Sequence, residues 1–412
     1  MDSLPEHLIG LDQSIAAMTP ELIELRRHLH QNPELSREEF ATTQLLEKRL
    51  NELGFHTQIR AEKTGLIADI APRDFDPEEH PTVAIRADMD ALPIVELTDL
   101  GFKSQNTGVM HACGHDLHMT CAMGAATALS AQREQLPGRV RIIYQHAEES
   151  SPSGASEMIQ FGAMRGVDAI IALHVDPELH VGKIGLKPGP LTASFDRFTF
   201  TIKGRGGHGA RPHQCIDPIF VATHLAQSLY AITSRRFDAR EPIVLSIGEF
   251  KAGDFANVIP STARLSGTVR TVSNERRSHV ERMLIQMAEA SCALHGASFD
   301  LDLYKGAPPI INSPKIIDRF EDVATRLLGE DAIYNIPRPS MGSEDFSNYL
   351  AHAPGAMFRL GVATPDEPVF HLHHPRFNAH EDALAHGAKI LAMSALELLQ
   401  DLAIDRESLN NS

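Results

Sequence analysis

The sequence predicts an α/β protein in two parts: a mostly parallel sheet flanked by helices, and a small α+β satellite of ferredoxin-like βαββαβ order inserted into it. Three observations predict this. Apolar strand-like runs alternate with helix-like stretches over the first half of the chain, the pattern of βαβ units. A Pro/Gly-rich stretch, Gly185-Leu186-Lys187-Pro188-Gly189-Pro190, then breaks that pattern. Beyond it the elements follow in the order strand, helix, strand, strand, helix, strand.

Thr19-Pro20-Glu21 reads as the cap of a first helix, whose Leu22, Leu25 and Leu29 recur at helical spacing with Arg26, Arg27 and His28 between them. A second helix is expected over about 38–53, ending at Gly54. The strand-like run Thr82-Val83-Ala84-Ile85-Arg86-Ala87 leads into Asp88-Met89-Asp90, and a helix-like stretch follows over 119–131. Val140-Arg141-Ile142-Ile143-Tyr144 leads into Gln145-His146-Ala147-Glu148-Glu149, and Ala169-Ile170-Ile171-Ala172-Leu173 ends at His174. Ligands of such sheets gather at the carboxyl ends of the strands, and all three ends are polar. Any strand must leave the core through polar residues, which explains one such end more readily than three. In the satellite, strands are expected over 194–203, 243–250, 263–269 and 298–304, with helices over 217–232 and 274–293. Lys305-Gly306-Ala307-Pro308-Pro309 reads as the return linker. The expected organisation is therefore a discontinuous domain, 1–190 and 305–412, and an inserted satellite, 191–304. A chain of 412 residues is also too long for one ordinary core.

Hydrophobic residues at 42% and charged residues at 22% are those of a soluble globular protein. A net charge of -16 argues against nucleic acid and anionic membrane as partners, because both demand a basic face. The four cysteines, Cys113, Cys121, Cys215 and Cys292, are scattered, and Met1-Asp2-Ser3-Leu4-Pro5-Glu6 has neither a basic start nor an apolar run. A reduced, cytoplasmic protein is expected. No apolar run reaches bilayer-spanning length.

The densest chemistry lies in His111-Ala112-Cys113-Gly114-His115-Asp116-Leu117-His118, where a thiol, three imidazoles and a carboxylate share eight residues. A structural zinc site would repeat the thiol at CxxC spacing, and no such pair exists, so an open, working metal site is the expectation. A buried Cys beside a surface His is the plainer reading of an isolated Cys-x-His. Glu148-Glu149 can divide labour, one carboxylate holding a cation while its neighbour moves protons, although paired glutamates are common on solvated surfaces. His174 is a candidate ligand or a satisfied core histidine. Phe370-His371-Leu372-His373-His374-Pro375 is a second, distant histidine source. In the satellite, Gly204-Arg205-Gly206-Gly207-His208-Gly209-Ala210-Arg211-Pro212-His213 permits close backbone approach and the presentation of one side chain. Asn257 and Arg270 could grip a carboxylate.

Taken together, these segments resemble the hippurate hydrolase, N-acyl-amino-acid amidohydrolase and indoleacetyl-amino-acid hydrolase branch of the two-metal aminoacylase/carboxypeptidase superfamily. The likeness is carried by Arg26-Arg27-His28-Leu29-His30 with Pro33-Glu34, Arg86-Ala87-Asp88-Met89-Asp90-Ala91-Leu92-Pro93, the Cys113 segment and Ala147-Glu148-Glu149. It continues through Gly206-Gly207-His208-Gly209-Ala210, Asn257-Val258-Ile259-Pro260, Gly342-Ser343-Glu344-Asp345-Phe346 and Leu372-His373-His374-Pro375. The resemblance implies a metallohydrolase domain with a satellite serving as lid and dimerisation domain. It implies two divalent cations per subunit, zinc or manganese with cobalt or nickel open, held by Cys113 as bridging ligand with His115, Glu149, His174 and His373. Glu148 would be the general base and Asp90 the acid that orients a metal-bound imidazole. His208 would steady the oxyanion, in cis or across a homodimer interface. Asn257 and Arg270 would clamp the substrate carboxylate, with His213 and Ser343 on the substrate side. Two departures stand out: His146 where the family usually has proline, and His374 where a small polar residue commonly follows the ligand histidine.

The activity so implied is hydrolysis of the amide bond of a small N-acyl-amino acid, hippurate-like or acetylated, to a carboxylic acid and a free amino acid. The rivals are a dipeptidase or carboxypeptidase with the same machinery, and a non-hydrolytic metal-binding protein. Glu148, which is not needed to hold metal, favours catalysis.

Overall fold

The protein is described here from a computed structural model, which covers residues 5–238, 240–365 and 368–410. Met1-Asp2-Ser3-Leu4, part of the amino-terminal reading above, lies outside the described residues. The chain divides into two units, Met1–Gly189 with Ile311–Pro337 and Asn348–Ser412, and Pro190–Ile310 with Arg338–Ser347.

The first unit is built on an eight-stranded sheet in the order His56–Ile59, Leu66–Ile70, Arg139–Gln145, Thr82–Asp88, Ala169–His180, Gly355–Ala363, Ile184–Leu186, Ile333–Asn335. The central pairings are parallel, and antiparallel pairs lie outside them at Leu66–Ile70 and Ile184–Leu186. Every residue of Thr82–Asp88 is buried, as expected of a strand covered on both faces. The helix His115–Ala131 is buried on almost all sides, because it packs against the helices Glu6–Gln31 and Ala383–Asn410 as well as the sheet. Gly124 permits that crossing: a Cβ there would stand 2.8 Å from Ala388 Cβ and 3.0 Å from Leu22 Cδ1.

Three elements differ from expectation. The first helix begins at Glu6 and runs through Pro20 to Gln31, so Thr19-Pro20 is no cap. Leu8, Leu11 and Ile15 are buried in one cluster with Leu22, Leu25 and Leu29, and tertiary burial outweighs the lost amide donor. The helix expected from 119 begins at His115. The strand through His174 continues to His180, since the backbone keeps pairing with Gly355–Ala363 well past Leu173.

The second unit carries a four-stranded antiparallel sheet in the order Ile243–Ala252, Thr262–Thr271, Asp196–Lys203, Ser298–Lys305, the ferredoxin-like arrangement. Phe198, Phe200 and Ile202 alternate inward from Asp196–Lys203 and meet the stripe Val221, Leu225, Leu229 and Ile232 of the helix Pro218–Arg235. Asp217 caps that helix by accepting from Ile219 N at 2.9 Å, and Ser273 caps Asn274–His295. No helix among the described residues is long and apolar enough to cross a membrane.

Candidate metal centre

Three strands of the first unit and one helix start converge on a single point. Thr82–Asp88 delivers Asp88 and Asp90, Arg139–Gln145 delivers Glu148 and Glu149, and Ala169–His180 carries His174. Cys113 and His115 flank Gly114, which caps the helix His115–Ala131 with φ 82°. Only glycine fits there, because a Cβ would also stand 2.4 Å from Val175 Cγ2. The donor atoms of Cys113, His115 and His174 lie within 4.8 Å of one another, as do those of Cys113, Glu149 and His373, and those of His115, Glu148 and Glu149. Cys113 belongs to two of these groups, which places its sulfur between two sets of donors.

The remaining atoms of each side chain are held in ways that leave the inward ones open. His115 Nδ1 donates to the Asp90 carbonyl at 2.8 Å, and its buried Nε2 has no hydrogen-bond partner. His174 Nδ1 donates to the Val175 carbonyl at 2.8 Å, turning Nε2 to within 3.6 Å of Cys113 Sγ. Glu149 Oε1 is buried, accepts no hydrogen bond and stands 3.0 Å from His373 Nε2. His373 has a left-handed backbone, φ 66°, with its amide donating to the Ala112 carbonyl at 2.8 Å. This ties the distant histidine loop to the residue before Cys113. Asp90 accepts the amides of Glu148 at 3.0 Å and Glu149 at 2.9 Å, one on each oxygen.

The electrostatics fit a cation. Burial alone would depress His115, yet Asp88, Asp90 and Glu149 around it push its pKa up to about 10, so the carboxylates here favour a positive charge. Burial, together with Glu149, Glu148 and Asp88, holds the Cys113 thiol well above its ordinary value. Burial keeps His174 neutral, the form that ligates. Two buried ligand-type atoms without hydrogen bonds, a surplus of carboxylates, and a thiol that needs a positive neighbour to ionise are chemically suited to a divalent cation.

The two extra histidines point elsewhere. His374 stacks on Phe370 with ring centroids 4.8 Å apart, and its Nδ1 accepts from Arg376 N. His146 is fully buried, taking a bond from Arg60 Nη1 at 2.7 Å and standing 3.1 Å from Glu157 Oε2. Of the three imidazoles in the Cys113 segment, His118 accepts from Val175 N at 3.0 Å and donates through Nδ1 to Asp88 at 2.6 Å, so both its nitrogens are committed. His111 is buried with neither nitrogen bonded, and burial lowers its pKa to about 4.

His208, His213, Asn257, Arg270 and Ser343 all lie in the second unit. Gly207–His208 pairs with Val258–Ile259, and Gly209 N donates to the Asn257 carbonyl at 2.8 Å, so His208 and Asn257 are neighbours. The glycines serve close approach: a Cβ on Gly206 would meet Ile259 O at 2.6 Å, and one on Gly209 would meet Asn257 O at 2.9 Å. His208 is exposed, with Nδ1 accepting from Ala210 N at 3.1 Å. Arg270 lies over the Phe195 ring and donates to the Met341 carbonyl at 2.9 Å, two positions before exposed Ser343. His213 is exposed in the turn Pro212–Gln214.

Sequence reasoning passed over the residues that hold the ligands in place. Arg86 Nη1 donates to Asp88 at 2.7 Å, and Asp88 in turn holds His118. Arg26 Nε donates to Asp116 at 2.9 Å, His30 lies 2.9 Å from the same oxygen, and the helix start that presents His115 is fixed between them. A signal existed: His115 and His118 are three apart, hence on one helix face, and Asp88 is the last residue of the strand-like run that leads to Asp90.

Residues 84–397 match the family described as Peptidase family M20/M25/M40. The chain is 39% identical over 388 residues to N-acetyl-L-cysteine deacetylase of Bacillus subtilis (strain 168), covering 94% of this chain and 90% of that one. It is 43% identical over 292 residues to N-acyl-L-amino acid amidohydrolase of Geobacillus stearothermophilus, covering 71% and 78%. Among solved structures it resembles a dinuclear metal-binding peptidase of the M20 family from Bacillus subtilis, with TM-score 0.81, 36% identity and coverage of 93% and 99%.

Proposed function

The chain belongs to peptidase family M20/M25/M40, and from that membership we propose that it hydrolyses N-acyl-amino acids at a metal centre ligated by Cys113, His115, Glu149, His174 and His373. It is a metal-dependent amidohydrolase, in keeping with the deacetylase and amidohydrolase among its relatives. The observation that carries the assignment to this site is the sharing of Cys113 by two groups of donor atoms, beside a second glutamate that both groups leave over. That sharing, and the dinuclear relative, support two ions per subunit. A mixed thiolate, imidazole and carboxylate set suits zinc, with manganese, cobalt or nickel as the alternatives.

When bound by Cys113, His115, Glu149, His174 and His373, the cations would supply Lewis acidity toward the scissile carbonyl and the attacking water. The rest falls to the protein. Glu148, whose amide is anchored on Asp90, takes a proton from the attacking water at its carboxylate and returns it to the departing amine nitrogen. Asp90 also keeps His115 in the tautomer that points Nε2 inward. In the second unit, His208 steadies the developing oxyanion, Arg270 and Asn257 bind the substrate carboxylate, and His213 and Ser343 line the substrate side. The physical support is that His208 is exposed and its Nδ1 is an acceptor, so its Nε2 carries the proton as a donor. Hippurate-like and acetylated substrates, a homodimer formed through the second unit and a cytoplasmic setting complete the proposal. The setting is supported by four cysteines that are all free.

The test is Glu148→Ala, assayed on N-acetyl and N-benzoyl amino acids and on dipeptides. Turnover is expected to fall about 10²- to 10⁴-fold while metal content stays at the wild-type value. Undiminished turnover would remove Glu148 from the mechanism, and a preference for dipeptides would move the assignment to an exopeptidase.

A further inference from the structure

We propose that Glu39 is a positioning residue for this reaction: its buried carboxylate holds the left-handed elbow at Ala147 and so aims Glu148. The proposal rests on the reading of Glu148 as base. Three consecutive amides at this elbow each donate to a carboxylate oxygen. Ala147 N donates to Glu39 Oε1 at 2.7 Å, Glu148 N to Asp90 Oδ1 at 3.0 Å and Glu149 N to Asp90 Oδ2 at 2.9 Å. Ala147 has φ 53°, a region that side chains other than glycine rarely adopt and that persists only where surrounding contacts over-determine it. Those contacts are visible. Gly154 N donates to the Ala147 carbonyl at 2.8 Å, and Gly154 must be glycine because a Cβ would stand 1.9 Å from His146 O. On the amide side, Glu39 is what holds the residue.

Glu39 is fully buried, its second oxygen Oε2 has no hydrogen-bond partner, and it belongs to no group of candidate ligands among the described residues. A buried carboxyl is a worse filler than an apolar side chain of the same size unless it is bonded, and the side-chain bond of Glu39 at this elbow is the one from Ala147 N. The same short segment supplies Ser36, whose Oγ donates to Asp90 Oδ2 at 2.6 Å. The stretch between the first two helices thus supplies one of the two accepting carboxylates, Glu39, and braces the other, Asp90, through the Ser36 hydroxyl. The sheet strand Arg139–Gln145 ends just before the elbow, so its ladder of hydrogen bonds stops short of Glu148.

If Ala147 loses its acceptor, the elbow relaxes and the Glu148 carboxylate moves relative to the reacting atoms. A displacement of about 1 Å costs on the order of 100-fold in rate. In Glu39→Gln the amide oxygen still accepts, so positioning survives.

The experiment compares Glu39→Ala, Glu39→Met and Glu39→Gln in the metal-loaded full-length protein, measuring kcat, KM, bound metal, and amide exchange of the peptide containing residues 146–150. Methionine fills the space without an acceptor and serves if the alanine variant does not fold. The expected result is a kcat loss of roughly 10- to 100-fold in the alanine and methionine variants with KM within about threefold, wild-type metal content and exchange at least about tenfold faster, while the glutamine variant stays within about threefold of wild type. The proposal is overturned if the methionine variant keeps wild-type kcat and exchange, if glutamine falls as far as methionine, or if metal content falls in step with kcat. Failure of the base assignment is separate, because it is read from Glu148→Ala alone while the exchange measurement does not depend on activity.

Discussion

His115 and His118 share a helix face and a buried setting, yet of the two His115 keeps a ring nitrogen without a hydrogen-bond partner, a difference that favours it as the proposed ligand. The Cys-x-His pattern and the family resemblance point to His115, and the hydrogen bonds of the second nitrogen support that reading. The family resemblance points to His373 rather than His374, and the stacking of the His374 ring on Phe370 supports that reading. Glu39 has a consequence for stability as well as for catalysis. Burial first, and then the charge of Asp90, raise its pKa from 4.5 to about 7, while the Ala147 amide opposes the rise. The folded state therefore holds this proton more tightly than the unfolded chain does. The contribution to stability is complete below pH 4.5 and is lost as pH rises through about 7. Glu39→Gln removes that dependence, so its stability relative to wild type should improve by roughly 3 kcal/mol between pH 4 and pH 8. Denaturant melts of both proteins across that range check it; parallel pH profiles would show that Glu39 titrates normally.

The decisive element is the start of the helix His115–Ala131, where glycine at 114 lets one turn present Cys113 and His115 to the same centre. Alanine there would face both a positive φ and Val175 Cγ2 at 2.4 Å. Gly114→Ala is expected to destabilise the protein by more than about 2 kcal/mol and to lower metal affinity, measured by thermal melting and by metal titration. A variant with unchanged melting and affinity would mean that the turn is not what sets the ligand geometry. Pro20 shows the opposite balance. A residue that ends helices in isolation is carried inside one because the apolar stripe on both sides of it is buried in a single cluster. That outcome depends on Leu8, Leu11 and Ile15 finding partners far away in sequence, which local spacing does not report.

At the scale of the whole chain, each unit has its own core and sheet, and all five candidate ligands belong to the first. Metal binding should therefore stabilise the first unit selectively. At a free ion concentration about a thousand times Kd the gain is roughly 4 kcal/mol, several degrees in Tm. Calorimetry of stripped and reconstituted protein should show one transition that moves with metal and another, from the second unit, that does not. A single transition shifting as one would mean that the units unfold together.

By itself the sequence determined the α/β class, the ferredoxin-like order of the second unit and the cluster of ligand-type residues around Cys113. These follow from local periodicity, turn residues and the chemistry of side chains close together in the chain. Tertiary structure alone decided that Ala112 lies against the loop of His373, that Glu39 reaches Ala147, and that His118 and His374 are committed elsewhere. The reason is that a ligand is defined by which of its atoms remain free after every other hydrogen bond is made, and those bonds come from strands, helices and loops remote in sequence.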